Sequence, residues 1–179
     1  ASFIGSHLTE QLIELGAKVR IADNFSSGEK SHVKSLDCEI LEGDLLNPEF
    51  CDQATDDIET VFHLAADHGG RGYIDAHQVE CSTNMILDGQ VFRHAHRNGV
   101  EKIIFASSGC VYPTSAQMDV TKEVFLHEDM VTPPYEADDL YGWAKLMAEL
   151  TLKAYHQQHG LQTASCRYFT VYGPRCTEN

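Results

Sequence analysis

The stretch FIGSHLTEQLIELGAKVRIADN, residues 3–24, decides the fold. Gly5 opens a segment with helical spacing of apolar residues, Gly16 closes it, and a short apolar run then ends in Asp23. A glycine at the start of a helix, followed about twenty residues later by an acid that ends a strand, is the spacing of a dinucleotide-binding fold. These residues therefore predict an α/β protein.

The rest of the chain continues the alternation of short apolar runs with longer helical patterns. Strands are predicted at Lys18–Asp23, Cys38–Leu41, Thr60–Ala66, Lys102–Ser107 and Gln162–Phe169, and helices at Gly5–Leu15, Cys81–Asn98 and Tyr141–His159. Glycines follow these helices at positions 16, 99 and 160, where a left-handed residue commonly ends a helix. Repeated helix and strand predict a doubly wound parallel sheet with helices on both faces and ligands at the carboxyl ends of the strands.

Composition narrows the class of protein. The 179 residues hold 13 basic against 27 acidic side chains, a formal charge of −14, which disfavours nucleic-acid and anionic-membrane partners. The length fits one domain, and no apolar run approaches the roughly 18 residues of a membrane span. Six cysteines show no CxxC pair and the histidines no metal spacing, which predicts reduced thiols, no metal and a cytoplasmic location.

Two acids after predicted strands are candidates for cofactor contacts. The carboxylate of Asp23 can accept hydrogen bonds from ribose hydroxyls, and its charge would repel a 2′-phosphate, which favours NAD over NADP. Asp44, followed by Leu45, could reach an adenine edge. Each feature has an ordinary alternative, since Gly5 could serve helix packing and both acids could be turn residues.

Tyr141 and Lys145 are four residues apart at the start of a predicted helix, so both side chains lie on one face. A nearby ammonium group favours the phenolate form of tyrosine, which could take a proton from a hydroxyl. Ser108, at the end of the run Lys102–Ser107, could hydrogen-bond the same oxygen. The alternative is an exposed helical pair without chemistry.

Seven fragments resemble, in their order, the extended short-chain dehydrogenases/reductases, in particular the NAD-dependent nucleotide-sugar epimerase/dehydratase family: FIGSHL, ADNFSSG, GDL, HLAA, ASSGCVYP, YGWAK and RYFTVYGP. The resemblance implies that residues 1–179 are a Rossmann domain, that its first strand would precede Ala1 and a substrate lobe would follow Asn179, and that the intact enzyme is a homodimer. It implies catalytic roles for Ser108, Cys110, Tyr141 and Lys145. The cofactor contacts it implies are Phe3, Ile4, Gly5, Asp23, Asn24, Asp44, Leu45, Ala65, Ala66, Tyr141 and Lys145, and the substrate contacts Gly70, Arg71 and Ser108.

The triplet Ser108-Gly109-Cys110 separates branches of this family. Dehydratases resemble Thr-Asp-Glu here, so simple dehydration is disfavoured, whereas the branch of GDP-mannose 3,5-epimerase and GDP-fucose synthase carries cysteine, which exchanges a proton beside an oxidised C4. A similar glycine-rich turn follows the fourth strand in that branch, as in residues 66–73. The segment Phe169–Pro174 and the tail after it depart from the 3,5-epimerases, which leaves 4-epimerisation open. A dinucleotide-binding module without catalysis is the alternative from another class.

Overall fold

The structure is a computed structural model that describes residues 1–118, 121 and 123–176, and it is an α/β fold with parallel strands. The strands are β1 (Arg20–Asp23), β2 (Glu39–Glu42), β3 (Thr60–His63), β4 (Lys102–Ser108) and β5 (Gln162–Tyr168). The helices are α1 (Phe3–Glu14), α2 (Pro48–Thr55), α3 (Arg71–Ala76), α4 (Gln78–Ser82), α5 (Asn84–Arg97), α6 (Thr114–Gln117) and α7 (Asp139–His159). Short 3-10 turns cover Lys30–His32, Gly109–Val111 and Glu128–Met130. No helix in the described part of the chain is long and apolar enough to cross a membrane.

The strands form two parallel sheets, β1-β2 and β3-β4-β5, and not the single sheet that the sequence predicts. Ile21 pairs with Ile40 in the first sheet, and Ile103 pairs with both Val61 and Thr163 in the second. In a doubly wound sheet of order 3-2-1-4-5-6, one strand separates two such groups. The described residues include no strand that pairs with both β1 and β3, so the two groups do not join.

The main core lies where α2, α5 and α7 meet the second sheet. Its fully buried side chains include Phe92, Phe105 and Leu152. Burial alternates along β4, and Phe105 and Ser107 lie on the face that meets α7, since Phe105 contacts Lys145 and Ser107 donates a hydrogen bond to Glu149. This packing fixes α7 beside the carboxyl end of β4.

The three predicted helix-ending glycines are confirmed, because Gly16, Gly99 and Gly160 all have positive φ. Other expectations were wrong. The predicted helix Cys81–Asn98 is two helices, α4 and α5, and α2 was missed although Asn47 and Pro48 form a strong helix start.

Short apolar runs are typical of buried strands, yet β2 and β5 are largely exposed. Each lies at an edge of its sheet, with a neighbour on one side. The described residues between 113 and 138 include α6 and the 3-10 turn Glu128–Met130, and they pack on Val111, Tyr112 and Leu146. Asp119, Val120, Lys122 and the tail residues Thr177–Asn179 lie outside the described part of the chain.

Candidate active site

The start of α7 docks against the 3-10 turn that follows β4. The backbone N–H of Asp138 donates to the carbonyl oxygen of Cys110 at 2.9 Å. A Cβ on Gly142 would lie 2.5 Å from that same oxygen and 3.2 Å from the Cβ of Cys110, so the approach requires glycine. The residue before Gly142 is Tyr141, which this contact therefore places beside the end of β4.

Three predicted catalytic side chains meet at this point. Lys145 is 2% exposed, and its Nζ lies 4.7 Å above the centre of the Phe105 ring and 5.8 Å from the centre of the Tyr141 ring. Ser108 forms a hydrogen bond with Tyr141, and its Oγ also accepts the backbone N–H of Cys110 at 3.2 Å. Serine, phenol and ammonium thus converge on one place, and the exposed-pair alternative does not describe this arrangement.

Electrostatics at the site oppose ionisation of the phenol. Burial, and then the charge of the Cys110 thiolate, raise the pKa of Tyr141 to about 12, although the hydrogen bond with Ser108 opposes the rise. Burial lowers the pKa of Lys145, and the carboxylate of Asp88 raises it. A further positive charge at the site would lower the pKa of the Tyr141 phenol toward neutral pH.

The residues predicted to contact the cofactor lie at strand ends and at the start of α1. Asp23 ends β1, where its Oδ1 accepts the N–H of Phe25 at 2.7 Å and its Oδ2 lies 2.7 Å from the backbone nitrogen of Ala1. Asn24 accepts the N–H of Ser26 in the next turn. The α1 helix begins at Phe3 and carries Ile4 and Gly5 in its first turn, which has no acidic side chain.

The start of α1 lies beside the residues that follow β3. A Cβ on Gly5 would lie 3.6 Å from the Cδ1 of Leu64, which directly precedes Ala65 and Ala66. The Phe3 ring also approaches Gly173, after β5. The start of α1, the end of β3 and the segment after β5 are therefore neighbours.

Asp44 and Leu45 follow β2 and face other partners. The Oδ1 of Asp44 accepts the N–H of Leu46 at 2.8 Å, as in an ordinary turn. Leu45 packs against the main core, and its carbonyl accepts the Cys51 thiol. The described contacts of both residues are those of a turn that joins β2 to α2.

Gly70 caps α3, and Arg71 is its first residue. The Arg71 side chain is 60% exposed and bonds three carboxylates, those of Asp75, Asp138 and Asp139. The last two begin α7, so Arg71 ties the glycine-rich turn to the helix that carries Tyr141. Its guanidinium group therefore already has carboxylate partners.

Four nearby residues were not predicted as parts of the site. Asn84 bonds both backbone groups of Asp67, its Oδ1 accepting at 2.7 Å and its Nδ2 donating at 2.8 Å. Desolvation by neighbouring atoms, and then the charge of Lys145, lower the pKa of the His68 imidazole, although this residue is exposed. Gly142 and Asp88 complete the set. Gly142 lies inside the fragment YGWAK and His68 inside the glycine-rich turn 66–73, whereas Asn84 and Asp88 depend on contacts that no spacing reveals.

The histidine in β3 is a packed, hydrogen-bonded residue of the core. His63 is buried, and its ring packs with those of Phe92 and Phe105 in a triangle whose three centroid distances are all 5.7 Å. Its Nε2 donates to the Oδ1 of Asp88 at 2.7 Å. The side chain therefore serves the core, and its partner carboxylate faces the site.

The fold and the site define a class, an α/β protein in which Ser, Tyr and Lys meet at the carboxyl end of a parallel strand. A family model described as "NAD dependent epimerase/dehydratase family" matches residues 1–179, and the chain belongs to this family. The resemblance inferred from the motifs is confirmed. The two-sheet topology is consistent with a partial Rossmann region, since the chain spans about half the length of the curated relatives it matches.

Three proteins that are similar to this chain in sequence or structure are named as epimerases. GDP-mannose 3,5-epimerase of Arabidopsis thaliana is 32% identical over 173 residues, covering 96% of this chain and 45% of that protein. A crystal structure of UDP-galactose 4-epimerase has a TM-score of 0.86 at 31% identity, over 100% of this chain and 57% of that one. A Thermus thermophilus UDP-glucose 4-epimerase in complex with NAD has a TM-score of 0.84 at 29% identity, over 98% and 54%. Epimerases of two kinds are thus similar to this chain.

Proposed function

We propose that the protein is an NAD-dependent epimerase that acts on a nucleotide-diphosphate sugar through transient oxidation at the sugar C4. The observation that carries the proposal is the convergence of Ser108, Tyr141 and Lys145 at the end of β4. Membership of the epimerase/dehydratase family and the similarity to enzymes named as 3,5- and 4-epimerases support the reaction class. A thiol in place of the dehydratase carboxylates favours epimerisation over dehydration.

Tyr141 is the base in this proposal. Its phenol oxygen takes the proton of the C4 hydroxyl. Ser108 donates a hydrogen bond to the oxygen of the same C4 hydroxyl and holds it in place. Lys145 is buried beneath the tyrosine ring and favours the phenolate by its charge. Bound NAD would supply the hydride acceptor and a positive ring at the site.

Cys110 is the candidate for the second proton. Its carbonyl is fixed by Asp138 and its side chain lies next to Gly142, so the thiol is held at the same strand end as Tyr141. Oxidation at C4 acidifies the neighbouring C–H bonds, and a thiolate is a suitable base for one of them. The proposal therefore assigns proton exchange at C3 or C5 to Cys110.

The residues present fit the dinucleotide in two places. The first turn of α1 has no acidic residue, and Ser2 makes no side-chain cap, so the helix start is suited to a pyrophosphate group. Asp23 ends β1 with a carboxylate that can accept ribose hydroxyls, which supports NAD over NADP. We assign Phe3, Ile4, Gly5, Asp23 and Asn24 to this half. Lys145 and Tyr141, with Ala65 and Ala66 after β3, would serve the nicotinamide half, while Asp44 and Leu45 remain predictions for the adenine edge.

Gly70 and Arg71 are proposed to border the substrate. They begin α3 beside Asp138, at the start of the catalytic helix. A guanidinium group can bind a sugar phosphate in two places at once, although here it would have to exchange one of its carboxylate partners. The proposal thus places the diphosphate near the α3–α7 junction.

A homodimer is proposed for the intact protein, as the family resemblance implies. Support comes from Met85 on α5 and Met147 on α7, which are 41% and 47% exposed and line one pocket of about 140 Å³. Exposed apolar side chains on adjacent helices are typical of association surfaces. The cytoplasmic location stays a prediction from composition.

Solvent deuterium tests the proposed reaction. We expect the protein, incubated in D2O with GDP-mannose or UDP-glucose, to form an epimer that carries deuterium at C3 or C5, because the proton returned by Cys110 comes from solvent. Nuclear magnetic resonance of the product locates the label. Cys110→Ser should lose the label, and Cys38→Ser, a half-buried cysteine of the other sheet, should keep it.

An epimer inverted at C4 without deuterium would contradict the role of Cys110 and favour simple 4-epimerisation. Absence of any epimer with both sugars would contradict epimerisation of these two nucleotide sugars. A dehydrated product would overturn the assignment based on the triplet at 108–110.

A further inference from the structure

A buried carboxylate that the proposed reaction does not use lies beneath the site. Asp88 on α5 is 1% exposed, and it lines the pocket between α5 and α7 together with Phe92 and Ala144, the neighbour of Lys145. Burial of an ionised carboxylate is costly unless charges or hydrogen bonds compensate it. Its partners therefore indicate why it is there.

One oxygen of Asp88 is satisfied and the other is not. Oδ1 accepts the Nε2–H of His63 at 2.7 Å. Oδ2 is buried and has no hydrogen-bond partner among the described residues. The pair with His63 therefore satisfies only one of the two carboxylate oxygens of Asp88.

Lys145 is the charged group of the same cluster. The Phe105 ring contacts both His63, the partner of Asp88, and Lys145. His63 stacks on this ring with centroids 5.7 Å apart, and the Nζ of Lys145 lies 4.7 Å above it. The carboxylate of Asp88 raises the pKa of Lys145, against the effect of burial. Asp88 and Lys145 are thus two buried groups of opposite charge beside the same His63–Phe105 stack, in a place from which water is largely excluded.

We propose that Asp88 is a positioning residue of the active site, which holds Lys145 as an ammonium ion beside Tyr141. His63, on β3, fixes the carboxylate through Oδ1. Oδ2 has no hydrogen-bond partner among the described residues, so its negative charge can act on Lys145. This role rests on the proposed function, because Lys145 matters to Tyr141 only if the tyrosine acts as a base. Asp88 acts through Lys145 and does not touch the substrate.

Other titratable groups also lie near Tyr141 and Lys145 and contribute to the electrostatics of the site. His68 comes from the loop after β3, Cys110 from the turn after β4 and Cys81 from α4. Lys145 lowers the pKa of His68, while Cys110, Cys81 and Asp88 raise that of Tyr141. Removal of Asp88 thus has two opposed effects on the tyrosine, a direct fall of its pKa and an indirect rise through loss of the ammonium charge. The direct readout is therefore the lysine.

The test measures the pKa of Lys145 in the whole chain by nuclear magnetic resonance of labelled lysine side chains, with Lys145→Met identifying the signal. We expect Asp88→Asn, which keeps an acceptor for His63, to lower the pKa of Lys145 by about 1 unit or more, as loss of an adjacent opposite charge does. Asp52→Asn is the matched control. Asp52 also pairs with a buried histidine of α5, His94, at 3.2 Å, and its substitution should leave Lys145 unchanged.

Thermal unfolding followed by circular dichroism shows whether each variant is folded, and Asp88→Ser replaces Asp88→Asn if the latter is not. A pKa of Lys145 that stays at the wild-type value in a folded Asp88 variant would overturn the proposal, as would an equal fall in the Asp52 variant. This readout needs neither cofactor nor substrate. A shifted lysine in a protein without epimerase activity would therefore refute the proposed function and leave the link between Asp88 and Lys145 standing.

Discussion

Tyr141→Phe is expected to lower kcat by about 100- to 10,000-fold, the usual contribution of a general acid or base. The change removes the phenol oxygen and keeps the ring, which is packed near the buried ammonium group of Lys145. Binding of NAD should therefore persist, because the proposed dinucleotide contacts at α1 and β1 are untouched. Steady-state epimerisation kinetics and calorimetric titration with NAD measure the two quantities.

Tyr155→Phe is the matched control for this substitution. Tyr155 lies on the same helix, 14 positions further on, where its ring packs against the main core and contacts His96 and His159. We expect its kcat to equal that of the wild type within about 2-fold, since it is remote from the reacting hydroxyl. Wild-type turnover in Tyr141→Phe would show that another group is the base.

Gly142→Ala is expected to damage both stability and turnover. Its new methyl group would stand 2.5 Å from the carbonyl oxygen of Cys110, a backbone atom that cannot rotate away. Forced overpacking of this kind costs about 1 to 3 kcal/mol of unfolding free energy. Because the helix start must move relative to Ser108, we also expect kcat to fall by about 100-fold, the cost of a 1 Å misplacement.

Gly89→Ala serves as its control in chemical denaturation and kinetics. Gly89 also lies inside a helix, α5, but a Cβ there would meet nothing within 4 Å. Alanine should therefore stabilise the chain by about 0.5 to 1 kcal/mol, through helix propensity alone. If Gly142→Ala behaved like Gly89→Ala, the close approach to Cys110 would have no part in positioning Tyr141.

Much of the fold was predictable because its signals are local. Three left-handed glycines end helices as expected, and β4 was placed within one residue, since its apolar run is bounded by polar groups. The apolar runs alone do not reveal the separation into two sheets, because strand pairing depends on which neighbours are present. The exposure of β5 was missed for the same reason, since an apolar run does not reveal that its strand lies at an edge.

The candidate site also contains residues that local sequence predicts and residues that depend on distant contacts. Tyr141, Lys145 and Ser108 were predicted from helical spacing and a strand end, and the structure brings them together. Asp88 was missed because its partner His63 is 25 positions away, and a single Asp in a helix carries no signal of burial. The carboxylate partners of Arg71 were missed for the same reason, since two of them are more than 60 positions distant.

Transfer of hydride from the sugar to the cofactor tests the central claim most directly. The protein is mixed with NAD and with GDP-mannose or UDP-glucose that carries deuterium at C4, and the reaction is quenched during the first turnover. Mass spectrometry then locates the isotope. We predict deuterium on the nicotinamide ring of the bound cofactor, and its return to C4 of the product. Formation of an epimer whose deuterium never reaches the cofactor would contradict the oxidation at C4 on which the account depends.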